Sequence, residues 1–203
     1  MKTVLNFKEN PAMRRLIQTK YPVNAKDEHF AGFDLSLTAS GIVILDAAGN
    51  VKERHVIKVK TKGVERLDDI QKAIRSIIAI YNIRLICIEG YATGAIGKTY
   101  NIGELGGVIR LLLYRKGIKY FDPKPTQLKK FATGKGGGDG ASKDQVTLNV
   151  YKKWDFEAKD NNEADAYVLC RIAMALCGKE KDLTSYQKEI VAQIKSANKD
   201  MGD

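Results

Sequence analysis

Histidine and cysteine are too scarce in this sequence for several common chemistries. A serine-type triad or a zinc centre would have to be built around His29 or His55, the two histidines present, and neither stands in a triad-like or ligand-like context. Structural or surface roles are expected for both. The three cysteines, Cys87, Cys170 and Cys177, are odd in number, sit in apolar surroundings and lack paired metal-ligand spacing. That excludes a disulfide framework and a zinc site and points to buried thiols in a reducing compartment. No stretch approaches the ~20 apolar residues of a membrane span, and the opening Met1–Pro11 breaks its apolar run too early for a signal peptide. The expectation is a soluble cytoplasmic protein without membrane contact. Negative charge is the other deficit: 24 acidic residues face 34 lysines and arginines, leaving a formal charge of +10. An excess of that size raises the local concentration of polyanions, so nucleic acid is the first partner to consider.

With 203 residues, 44% of them hydrophobic, the chain can bury one substantial core but hardly two. The expected organisation is an N-terminal extension over 1–28, one domain over 29–178, and a peripheral helix and tail over 179–203. Strands are predicted at His29–Asp34, Gly41–Asp46 and Val51–Val59, separated by turn residues and forming an antiparallel meander. Apolar residues recur at helical spacing from Leu67 to Ile78, giving a helix over 64–81, followed by a short buried strand, Ile83–Glu89. A helix over Ile102–Lys116 stops at Gly117 and leads to a fifth strand, Ile118–Phe121. A mixed α+β fold with a five-stranded sheet follows, because a helix-connected return to one sheet runs parallel and right-handed. Helices are expected at Pro123–Phe131, Ala141–Trp154 and Ala164–Cys177, with a flexible loop at Gly134–Gly140.

Three acids interrupt apolar elements where a solvated charge has no evident place. Asp34 ends the first strand, Glu89 ends the fourth, and Asp165 stands at the start of the last core helix. Crowded like charges are costly unless cations neutralise them, so convergence of these three implies bound metal. All-oxygen ligands suit Mg²⁺ or Mn²⁺, and two ions about 4 Å apart could clamp a phosphodiester. Lys124, Lys129, Lys130, Lys135, Lys143, Lys152 and Lys153 crowd a stretch containing only Asp139 and Asp144 as acids. This is a phosphate-contacting composition, and the Gly134–Gly140 run would let the backbone approach a sugar-phosphate chain. It lacks the Gly-Lys-Ser/Thr ending of a Walker loop. Tyr91 follows Glu89 closely enough either to stack on an unpaired base or to pack under the loop.

The segment Phe33–Val43 resembles the opening strand of RuvC-type Holliday junction resolvases, whose aspartate begins a metal site. Ile88-Glu89-Gly90-Tyr91 through Asn101–Arg110 is similar to the family's catalytic glutamate and the glycine-bearing helix near its dimer interface. Pro125–Gly134 and Ala141–Val146 resemble its basic segment, with Lys129 and Lys143 on the functional lysines, and Asn162–Ala166 matches its last acidic motif. The resemblance covers about residues 29–177. It implies a ribonuclease H-like α/β fold with helices on both faces, and a homodimer that cuts four-way DNA junctions with Mg²⁺ or Mn²⁺, in a bacterial or virus-infected cell. Asp34, Glu89 and Asp165 would be the metal ligands, Asn162 would assist, and Lys129, Lys143, Lys130, Lys135 and Tyr91 would meet DNA. One departure stands out: the family commonly has an acid or histidine three positions before its last aspartate, and here that residue is Asn162. Glu163 lies about 200° round a helix from Asp165 and should point away, and Asp160 reaches the site only if the helix begins after it. A related nuclease acting on flaps, forks or hybrids, a non-catalytic junction-binding protein, and an ATP-binding protein of the actin or sugar-kinase type are the competing readings.

Overall fold

Runs of branched and aromatic residues that alternate toward two faces dictate a sheet covered on both sides. In the computed structural model, which describes residues 28–91 and 99–198, those runs are β1 (His29–Asp34), β2 (Ser40–Asp46) and, after α1 (Gly63–Ile78), β4 (Ile83–Ile88). The more polar β3 (Val51–Ile57) pairs with β2 at one edge, and β5 (Tyr120–Phe121), reached through α2 (Thr99–Lys116), pairs with β4 at the other. The order is β3-β2-β1-β4-β5, antiparallel among the first three strands and parallel from β1 to β4 to β5. Then follow α3 (Pro125–Thr133), a short 3₁₀ turn, α4 (Lys143–Trp154), α5 (Asn161–Leu176) and α6 (Ser185–Ala197). Residues 1–27 of the N-terminal extension and 199–203 of the tail lie outside the described residues.

Strand alternation sorts the core into two layers. Ala31, Phe33, Ile42, Ile44, Ile86 and Ile88 face α1 and α2, whereas Phe30, Val43, Leu45, Leu85 and Cys87 face α3 to α6. The mixed sheet with helices on both faces is therefore observed as expected. Cys87 and Cys170 are buried in the second layer, and Cys177 is half-buried. α6 adds Ile190 and Ile194 to that layer, packed beside α3. Element ends differ from the sequence pattern where polar chemistry sets them. α5 begins at Asn161, three residues before its first apolar side chain, because the Asp160 side chain accepts the Glu163 N–H at 2.9 Å as an N-cap. β3 stops at Ile57 and β5 keeps only Tyr120 and Phe121 of the predicted four.

Two glycines set how closely α5 approaches the sheet. A methyl group at Gly32 of β1 would stand 1.9 Å from the Ala166 carbonyl oxygen, and one at Gly41 of β2 would stand 2.2 Å from that of Asn162. Only hydrogen fits at either place, and α5 consequently lies with its backbone against β1 and β2.

Candidate active site

The same alternation decides where the strand-end acids point. Asp34 follows Phe30 and Gly32, and Glu89 follows Leu85 and Cys87, so both carboxylates emerge on the α5 face. β1 and β4 are parallel neighbours, and the Glu89 N–H donates to the Phe33 carbonyl at 3.0 Å, which sets the two acids side by side at the strands' carboxyl ends. Gly41 is the partner of Asp34 across β1 and β2, and the first turn of α5 rests on it. Asn162 and Asp165 are thereby carried to the same place. With Lys129 of α3 and Lys143, the first residue of α4, these four line a cavity of about 380 Å³. The three acids named from sequence are brought together by three separate elements.

The cavity is electrostatically strained. Burial, then the charge of Glu89 and a hydrogen bond shared with it, push the Asp34 carboxyl up to about 7 against the opposing pull of Lys143. Asp165 is likewise raised to about 7 by burial and by Asp34, with Lys143 and Lys129 opposing. Glu89 is raised by burial and by Asp165. Three carboxyls that resist ionising together are a set that a divalent cation would relieve. Among the described residues, no three His, Cys, Asp or Glu side chains converge tightly enough to cage an ion by themselves. Mg²⁺ does not require such a cage, since one or two carboxylates, waters and a substrate phosphate ordinarily complete its shell. The contacting pair Asp34 and Glu89, with Asp165 on the same cavity, fits that open mode, and its oxygen-only chemistry suits Mg²⁺ or Mn²⁺ rather than zinc.

Around the acids, the structure separates residues that sequence had grouped. Asn162 lines the cavity; α5 begins directly after Asp160, whose side chain is its N-cap and whose charge still reaches Asp34. Glu163 points away as helix geometry required, but it is buried rather than solvated: its carboxylate accepts the Lys159 N–H at 2.6 Å and lies 3.6 Å from the Arg54 guanidinium. Lys130, one residue from Lys129 and so about 100° further round α3, turns to Glu189 of α6 at 2.9 Å. Lys135 is exposed on the glycine loop beside Gly140 and does not line the cavity. Lys153 is drawn to the Ala132 carbonyl and the Tyr186 hydroxyl. His55 pairs with Glu53 at the surface, and the His29 ring packs on Tyr81, so neither histidine enters the site.

Tyr91 lines the cavity mouth and accepts a hydrogen bond from Arg110 Nη1 at 2.7 Å. Arg110 was not foreseen. Its guanidinium is held in a two-point contact by Asp122, at 3.2 and 3.0 Å, and lies over the Tyr91 ring. Gly106 makes room for both, because a Cβ there would stand 2.2 Å from the Tyr91 hydroxyl oxygen and 2.3 Å from Arg110 Nη1. The one sequence signal was the i, i+4 spacing of Gly106 and Arg110 on α2.

The fold is shared by solved proteins. The RuvC structure of Thermus thermophilus superposes with a TM-score of 0.63 at 18% identity, covering 74% of this chain and 97% of that one. The T. thermophilus RuvC structure in complex with Holliday junction substrate superposes at 0.64, also at 18% identity, with 74% and 96% covered. At that identity the likeness speaks for the fold. No curated protein sequence matches the chain. The family model described as crossover junction endodeoxyribonuclease RuvC matches residues 30–178. Because that span is most of the chain and holds all three carboxylates of the cavity, the protein belongs to the RuvC family.

Proposed function

We propose that this protein resolves four-way DNA junctions by divalent-metal-dependent phosphodiester hydrolysis at the cavity between β1, β4 and α5. The observation that carries the reading is the convergence of Asp34, Glu89 and Asp165 in one cavity with Lys129 and Lys143 on its wall. Asp34, Glu89 and Asp165 would hold Mg²⁺ or Mn²⁺, with two ions, since a pair could clamp a phosphodiester. A divalent ion there supplies a water of lowered pKa and neutralises charge at the phosphate. Asn162 would donate or accept a hydrogen bond among the waters, adding no charge. Lys129 and Lys143, which already offset the acids electrostatically, would bind the non-bridging phosphate oxygens and hold the scissile group against the carboxylates. Tyr91, 42% exposed and steadied by Arg110, would present its ring to an unpaired base. Lys135 would meet the backbone further out, while Lys130 is first engaged by Glu189.

A homodimer is part of the proposal. Tyr100, Gly103, Gly107, Leu111 and Tyr114 recur at three- and four-residue steps along α2, which places them on one face. The tyrosines and Leu111 are exposed, and a Cβ at Gly103 or Gly107 would meet nothing within 4 Å. A second copy pairing its own α2 there would bury the stripe and set two active sites across a two-fold axis, which two symmetric cuts need. Residues 29–178 would form the nuclease domain.

The test is incubation with a mobile four-way junction and Mg²⁺, resolved on a denaturing gel beside flap, hybrid and linear duplex substrates. Paired nicks on strands of like polarity, absent in EDTA, are the expected result. Equal cutting of all substrates would instead favour a general nuclease of the same fold.

A further inference from the structure

Beyond the cavity, a concentration of unpaired charge follows the edge strand β3. From His55 to Val64 the chain carries no acid and three lysines, Lys58, Lys60 and Lys62, at every second position. All three are exposed, while Ile57, Val59 and Thr61 between them are half-buried, and Ile57 and Val59 pack on the α1 and α2 layer. The segment is tied down: Thr61 Oγ1 donates to Asp69 at 2.8 Å, and Arg66 Nε donates to the Thr61 carbonyl at 2.7 Å. None of the three ammonium groups has an ion pair or hydrogen-bond partner among the described residues, whereas Lys52, Lys72, Lys130 and Lys179 all pair with acids. Lysine is strongly hydrated and exposed charge repels its like, so an ordered row of three unpaired ammonium groups has its natural complement in a row of anions.

The row is connected to the active site by short contacts. Ser36 lines the cavity wall, the Ser40 hydroxyl donates to its carbonyl at 2.7 Å, and Ser40 is the β2 partner of Ile57, directly before Lys58. It therefore leaves the sheet at the same end as Asp34 and Glu89, on the β3 side, whereas Lys129 follows β5 on the opposite side of the strand order. Exposed lysines alternating with half-buried residues are the pattern of an extended chain, in which alternate residues are about 6.6 Å apart, comparable to the step between successive phosphates along one DNA strand.

We propose that Lys58, Lys60 and Lys62 form a phosphate rail that holds a duplex arm of the DNA substrate as it leaves the cavity. The inference rests on the nuclease reading above. The rail makes no base contact, so it adds affinity and salt dependence without sequence preference. It extends the bound length of duplex beyond what Lys129 and Lys143 can reach.

The triple variant Lys58→Ala, Lys60→Ala, Lys62→Ala tests it, in full-length protein, by titrating both a four-way junction and a linear duplex over a range of salt in Ca²⁺. The log-log salt slope should fall by about two to three units on each DNA, from ~0.9 per lost contact. The triple Lys→Arg variant should keep the wild-type slope. Single-turnover nicking in Mg²⁺ at saturating protein should match wild type, because the chemistry lies in the cavity. An unchanged slope on both DNAs overturns the rail, as does an arginine variant that loses as much as the alanine one. Should wild type bind and cut the junction no better than the duplex, the junction reading fails, and the slope on the duplex still decides the rail.

Discussion

At the scale of single residues, the acids were legible because each breaks an apolar element, and alternation then fixed Asp34 and Glu89 to one face. Position along a helix was less readable. Lys129 and Lys130 look equivalent in sequence, yet one turn angle sends the first to the cavity and the second to Glu189, a partner 59 residues away. Glu163 was assigned direction correctly, but its burial against Arg54 depends on where β3 lies. Two predictions follow from these environments. Asn162→Ala should lower nicking modestly, whereas Glu163→Gln should leave nicking per folded molecule unchanged and cost about 1–2 kcal/mol of stability by unpairing Arg54, read from urea unfolding. The second concerns pH. Because the Asp34 and Asp165 pKa values are raised to about 7 from 3.8, their contribution to stability in metal-free protein is full below about pH 4 and lost as pH rises through 7. In EDTA, Tm should fall between pH 5 and 8, and Asp34→Asn should flatten that fall and raise Tm at pH 8 by a few degrees. Added Mg²⁺ should stabilise wild type more at pH 8 than at pH 6, since protons must leave before it binds. A wild-type Tm that rises over this range in EDTA would contradict the electrostatics of the cavity.

At the scale of elements, hydrophobic period gave the order of strands and helices and even the mixed sheet, because each core face is written every second or every third to fourth residue. Ends were read less well. The first turn of α5 is polar, Asn161-Asn162-Glu163, and is held by the Asp160 cap rather than by apolar contact, so periodicity placed its start three residues late. What no local pattern records is how closely α5 sits on the sheet. Gly41 is an ordinary strand glycine in sequence, yet it decides the distance from Asn162 and Asp165 to Asp34. Gly41→Ala should therefore push α5 outward, cost roughly 2–4 kcal/mol as an overpacking change, and reduce nicking beyond its effect on folded fraction. Thermal unfolding and a titration of active sites would separate the two effects. Undiminished nicking in a variant that is merely less stable would show that the first turn of α5 does not set the site.

At the scale of the whole molecule, the +10 charge announced a polyanion but not where it binds. The structure distributes it: some lysines are spent on acids, two face the carboxylate cavity, and three stand in a row beyond it. Lys143→Ala should lower the salt slope of junction binding by about one unit and slow nicking at saturation, unlike changes on the rail, because it touches both phosphate and carboxylates. The central claim is that the chemistry belongs to three carboxylates delivered by β1, β4 and α5. Single-turnover cleavage of a four-way junction in Mg²⁺ by Asp34→Asn, Glu89→Gln and Asp165→Asn, with junction affinity measured on the same samples, tests it most directly. Each variant should lose cleavage by about three orders of magnitude or more while binding the junction as well as wild type or more tightly, since a charge that repels phosphate is gone. Any one of the three cutting at the wild-type rate would contradict the account.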